Sequence, residues 1–102
     1  MSLQNPDKRE RAWMDAITRF GCLPCYLMGY PGTPAAVHHI TRGGRRISHY
    51  HTIPLCDPGH HKNPQKGSEK VAVHPNKARF VAEYGTELEL LATMQKIIEG
   101  AP

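Results

Sequence analysis

Thr52-Ile53-Pro54-Leu55-Cys56-Asp57-Pro58-Gly59-His60-His61 packs strand-forming residues, a cysteine and two adjacent histidines into ten positions. With His51 in front, the apolar part reads as a short strand over His51–Leu55, and Pro54 confines it to an edge or to a few residues. Asp57 followed by Pro58 carries the N-cap and first-position signals of a short helix that runs through His60, His61 and Lys62 until Pro64 ends it. Neighbouring side chains on a helix diverge by roughly 100°, so His60 and His61 are expected to serve two different sites.

Cys56 and His60 form one C-x-x-x-H pair, and about thirty residues upstream Cys22-x-x-Cys25 forms another pair. Two such close pairs are the usual source of the four soft or borderline ligands of a structural zinc, so Cys22, Cys25, Cys56 and His60 are expected to hold Zn2+. A thiol redox role for Cys22 and Cys25 is the competing reading, but the strand-then-helix context of a thioredoxin-like motif is missing. With 102 residues there is room for one domain, 1–102, and so small a domain gains from a staple. Zinc supplies on the order of 10 kcal/mol of folding free energy.

Working outward, Asn5-Pro6 opens an amphipathic helix over residues 6–20, with Trp13, Ile17 and Phe20 on one face, and Gly21 closes it over the first cysteine pair. Tyr26–Pro34 reads as a loop and Ala35–Ile40 as a strand, which a basic loop, Thr41–Arg46, joins to the strand before Cys56. Residues 63–73 carry no period, Pro75–Tyr84 reads as a helix stopped by Gly85, and Thr86-x-x-Glu89 is a capping box. It opens a last helix that carries Leu88, Leu91, Ala92 and Ile98 and is expected to pack on the first. The order strand, loop, strand, helix between flanking N- and C-terminal helices makes the fold class α+β.

The composition, 39% hydrophobic and 22% charged, is that of a soluble globular chain. No apolar run reaches the ~20 residues of a membrane span. Met1–Arg11 has no apolar segment, so no secretory signal is expected and the cytoplasm is the expected location. A net charge of +4 favours an anionic partner such as nucleic acid.

If His60 completes the zinc, His61 is left to face the hairpin, where His38, His39, His49 and His51 gather. Phosphodiester hydrolysis needs a water, a base and a cation, and neutral histidine can act as the base and hold the cation. His38 and His61 are the candidate catalytic metal ligands and His39 the candidate base. Adjacent strand residues face opposite ways, so His38 and His39 can share a site only with distortion at the strand end. His49 and His51 compete for a further place, His49 preferred as a ligand or substrate-orienting residue, and His74 is a further candidate. Arg42, Arg45 and Arg46, with Lys62, Lys66 and Lys70, are candidate phosphate contacts. The alternative is a zinc-stabilised DNA-binding module without catalysis, its histidines incidental.

Cys22-x-x-Cys25, His38-His39-Ile40, Ser48-His49, Thr52-Ile53-Pro54-Leu55-Cys56, His60-His61 and Tyr84-Gly85-Thr86-Glu87 together resemble the HNH (His-Me finger) nucleases of phage recombination-enhancement proteins, described as RecA-dependent nucleases. The resemblance spans about seventy residues, Cys22 to Leu91, and marks residues 22–91 as the core. It implies a ββα-metal fold, one structural zinc, and DNA cleavage with Mg2+ or another divalent ion. The implied substrate is single-stranded DNA or a recombination intermediate, the implied targeting partner a RecA filament on a displaced strand, and the implied setting a bacterial host cell carrying a phage or prophage. By position, His39 matches the base, His38 the adjoining ligand and His61 the closing histidine. The middle asparagine is absent; His51 stands about where it falls, which leaves that role between His49 and His51. Cys56-x-x-x-His60 is one residue longer than the usual pair. There is no long basic N-terminal extension, from which modest DNA affinity is expected.

Overall fold

A computed structural model describes residues 3–100, so the first two residues of the polar Met1–Arg11 stretch lie outside it. The first helix, α1, is Lys8–Phe20, and its cap is Asp7 rather than Asn5. The Asp7 carboxylate accepts from the Glu10 amide at 2.8 Å and the Glu10 carboxylate accepts from the Asp7 amide at 2.9 Å. This reciprocal pair satisfies two end amides where Asn5 would satisfy one, which moves the start by two residues. Gly21 ends the helix at φ +102, and a Cβ there would stand 2.8 Å from the Thr33 carbonyl oxygen. Directly after it, part of the expected Tyr26–Pro34 loop is taken up by a short helix, α2 (Leu23–Leu27), begun by Pro24 in its first turn.

Strand β1 (Ala36–His39) pairs antiparallel with β4 (Thr52–Leu55), with His38 opposite Ile53 and His39 opposite Thr52. Beyond them the hairpin continues as β2 (Thr41–Arg42) and β3 (Arg45–Arg46), a separate two-stranded pairing at the exposed tip. All four residues of β4 are buried, because α1 packs against it and so does the last helix, α4 (Glu87–Ile98). Pro54 is tolerated because a two-stranded sheet asks for hydrogen bonds on one side of β4 only. Thr52 offsets its buried hydroxyl by accepting from the Trp13 indole at 2.9 Å and donating to the His49 carbonyl at 3.0 Å.

Helix α3 (Lys77–Tyr84) buries Phe80, and α4 buries Leu90, Leu91 and Met94. The Thr86–Glu89 capping box is formed, and α4 touches α1 as expected. Ile17, Leu23, Ile53 and Leu55 join these residues in one apolar core between the hairpin and the helices.

The expected helix over Asp57–Lys62 is not formed. That segment is a succession of turns, closed by Gly59 N–H to the Lys62 carbonyl at 2.8 Å and His61 N–H to the Cys56 carbonyl at 2.9 Å. Six residues, Asp57–Lys62, with Gly59 among them and Pro64 just beyond, cannot repay the cost of nucleating a helix. The chain then returns along the same segment, Val73 N–H bonding the His60 carbonyl at 2.8 Å and His74 N–H the His61 carbonyl at 3.1 Å. The next helix after β4 is therefore α3, with twenty-one residues between them.

Candidate metal centres

The end of α1, the first turn of α2, the end of β4 and the following turn bring Cys22, Cys25, Cys56 and His60 into one fully buried cluster. His60 Nδ1 lies 3.4 Å from Cys22 Sγ, 3.5 Å from Cys25 Sγ and 3.4 Å from Cys56 Sγ, and the Cys25 and Cys56 sulfurs are 3.8 Å apart. A tetrahedral zinc with ordinary bond lengths requires edges of about 3.8 Å between sulfurs and about 3.5 Å between sulfur and nitrogen. The four side chains thus fit a metal such as zinc, with Nδ1 as the imidazole ligand. On the far side of the ring, Nε2 is bonded to the Tyr84 hydroxyl at 2.9 Å, which orients it.

The four-residue step from Cys56 to His60 works because of Gly59. It sits at φ +144, and a Cβ there would come within 2.6 Å of Cys56 Sγ. Lys70, read from the sequence as a DNA contact, instead places its ammonium 3.5 Å from Cys56 Sγ. There it would offset the excess negative charge that three thiolates bring to a bound divalent ion. Burial pushes the Cys22 thiol well up, so it is protonated until a metal displaces the proton. At Cys56 burial acts the same way, but the His60 amide, the other two thiols and Lys70 outweigh it and hold the thiol below its usual range. His60 is pushed down to about 4 by burial, with the Lys70 charge adding to it, so its ring is neutral and free to ligate.

One peptide bond away, His61 points to a different cluster. His38 from β1, His61 from the turn and His74 from the returning chain offer ligand nitrogens within 4.8 Å of one another. Their ring centroids form a near-equilateral triangle, 5.3 Å, 5.2 Å and 5.4 Å on its sides. An ion about 2.0–2.1 Å from each of three tetrahedrally disposed imidazole nitrogens would space the rings by about 5.2 Å. His61 Nδ1 is buried without a hydrogen bond, its nearest carboxylate oxygen, on Asp57, standing at 3.5 Å. Burial, then the charge of His38, lowers His61, and the same two causes lower His74, so both favour the neutral, ligating form. The three rings therefore fit a second, open metal position, on a cleft of about 380 Å3 that His39, Arg46 and Lys77 also line.

His39, the last residue of β1, lines that cleft without joining the triangle. Its Nε2 is 3.0 Å from His49 Nδ1, and His49 Nε2 is 2.7 Å from the Gln4 carbonyl. A carbonyl can only accept, so His49 Nε2 carries its proton and its Nδ1 accepts from His39 Nε2–H. The lone pair of His39 is thereby placed on Nδ1. Burial, then Arg46, His49 and His38, push His39 down to about 4. His51 is drawn away into a turn, its Nδ1 2.7 Å from the Ser48 hydroxyl.

Arg45 and Arg46 border a second hollow of about 470 Å3 on the far side of His49, together with Gln4, Asn5 and Pro6. Arg42, Lys62 and Lys66 are exposed. Sequence reasoning quoted Tyr84 and Glu87 in the family resemblance without giving either a role, and did not single out Lys77 or the Gln4 carbonyl. Glu87 is buried at 6% exposure; its Oε2 lies 2.5 Å from His38 Nε2 and its Oε1 2.8 Å from Lys77 Nζ. Burial pushes its carboxyl up, but the bonds from His38 and Lys77 outweigh that and keep it ionised.

A closed thiol-rich cage joined by one peptide bond to an open imidazole cleft with a basic rim defines a small α+β protein equipped for metal sites. The family described as recombination enhancement, RecA-dependent nuclease matches residues 6–99, nearly the whole chain, and the chain belongs to that family. It is by this membership a nuclease of recombination, a hydrolase acting on DNA. A search among curated proteins found no match to the chain. Among the described residues no helix is long and apolar enough to cross a membrane.

Proposed function

We propose that the chain is a metal-dependent HNH endonuclease that hydrolyses DNA phosphodiester bonds, as one domain with its core at about residues 22–91. In this reading the β1–β4 hairpin supplies the two strands of a ββα-metal core, and the turns from Cys56 to His61 stand in the place of its helix. Cys22, Cys25, Cys56 and His60 hold the structural zinc, and His38, His61 and His74 hold Mg2+ or another divalent ion. A divalent ion bound there supplies Lewis-acid stabilisation of the charge that develops on the phosphate. His39 removes the proton of the attacking water at Nδ1, and His49 takes the middle role of the motif by fixing the proton of His39 on Nε2. Arg46 and Lys77 orient the phosphate in the cleft, while Arg42, Arg45 and Lys62 extend the contact along the strand.

The observation that carries this reading is the three-imidazole triangle with His39, its Nε2 already bonded to His49, lining the same cleft. The substrate is single-stranded DNA or a recombination intermediate presented by a RecA filament, in the cytoplasm of a bacterial host, the gene being of phage or prophage origin. The test compares the parent protein with His39→Ala in magnesium or manganese, on supercoiled plasmid and on single strands coated with RecA. The parent nicks at least one substrate, and the variant loses roughly 10²–10⁴-fold in rate while still binding one zinc and all of its DNA affinity. Equal cutting by the variant removes His39 as the base, and binding without cutting by the parent makes the chain a DNA-binding module.

A further inference from the structure

Glu87 lies outside every role given above. It is the first residue of α4, held there by the Thr86–Glu89 capping box, and its carboxylate is buried beside the open cluster rather than among apolar side chains. One oxygen accepts from His38 and the other from Lys77, so both are engaged before any ion is considered. A buried ionised carboxylate in contact with an imidazole can only accept, which puts a His38 proton on Nε2, so that the neutral ring has its lone pair on Nδ1.

From this we infer that Glu87 is the positioning residue of the open metal site: its carboxylate locks His38 in the Nε2–H tautomer, so that Nδ1 is the atom offered to a divalent cation. Carboxylate, imidazole and cation in series is a general way to orient a ligand and raise its basicity, and loss of the carboxylate typically lowers metal affinity 10–100-fold. Tyr84 stands in the corresponding place behind His60 in the closed cage, 2.9 Å from its Nε2, where a hydroxyl that can donate or accept orients the ring without fixing its proton. Lys77 draws on the other oxygen of Glu87 and keeps it from swinging into the cation position.

This inference rests on His38, His61 and His74 holding a divalent ion, and the experiment separates the two. Protein carrying one equivalent of zinc is titrated with cobalt(II), read by visible absorption and calorimetry, and the tautomer of His38 is read from its ring-nitrogen chemical shifts. In the parent a second ion binds and His38 carries its proton on Nε2. Glu87→Ala is expected to weaken cobalt binding 10–100-fold and to mix the His38 tautomers, while zinc stays at one equivalent. Glu87→Gln, which keeps an acceptor of the same shape, is expected to lose only several-fold and to keep the tautomer; it carries the test if the alanine variant does not fold. Lys77→Met is expected to leave the tautomer unchanged. Cobalt held as tightly by Glu87→Ala as by the parent, or by Glu87→Gln where the alanine variant does not fold, overturns the positioning role alone. A parent that takes up no second ion overturns that role together with the open metal site.

Discussion

Two histidines of this chain, His39 and His60, are both pushed down to about 4, and for the same first reason, burial. The unfolded chain takes up a proton on each near 6.5, so between about 6.5 and 4 the unfolded state binds more protons than the folded one. Stability is therefore complete above that window and falls as the pH is lowered through it, and a urea midpoint lower at pH 5 than at pH 7 is the expected result. Cleavage should follow the folded value at His39, its acid limb lying below the ordinary histidine range; a limb centred near 6.5 would assign the base elsewhere. At Gly59 the expectation is steric. With a Cβ placed 2.6 Å from Cys56 Sγ, Gly59→Ala should lower zinc affinity at least tenfold, measured by competition with a chromophoric chelator.

At the scale of elements, the periodic segments were legible: Trp13, Ile17 and Phe20 mark α1, and the Thr86–Glu89 pair marks the start of α4. Replacing Thr86 by alanine should cost about 1 kcal/mol, seen as a lower melting temperature. Because the cap also sets Glu87, the same variant should weaken metal binding at the open site more than at the closed one. The segment from Asp57 to Lys62 was misread as a helix because an N-cap signal says where a helix can begin but not whether six residues suffice. The division of His60 and His61 between two clusters nonetheless appears in the geometry, since turns separate neighbouring side chains as a helix does. His74 was weakly legible, being carried back by thirteen residues with no period. The role of Glu87 was not legible, because the capping box accounts for its neighbours and leaves it an ordinary first-turn acid. The Gln4 carbonyl belongs to the backbone, and no side-chain pattern can announce it.

For the whole molecule, the radius of gyration is 13.2 Å. That is what a compact domain of about 100 residues shows, although some twenty residues between β4 and α3 carry no regular structure. The Cys22, Cys25, Cys56 and His60 cage ties that stretch to α1 and α2, so a metal held there should account for much of the net stability. Removing it with a strong chelator at neutral pH should turn the cooperative thermal transition into a broad one at lower temperature, and added zinc should restore it. An unchanged transition after complete metal removal would mean that the apolar core alone suffices.

In the proposed reading, the single peptide bond between His60 and His61 would also tie DNA cutting to the redox state of the buried sulfurs. Peroxide or a disulfide-forming reagent that captures Cys22, Cys25 or Cys56 would expel the ion, let residue 60 swing, and carry its neighbour out of alignment. Thiol damage would in this way act as a fuse, silencing the enzyme before it could cut from a distorted centre.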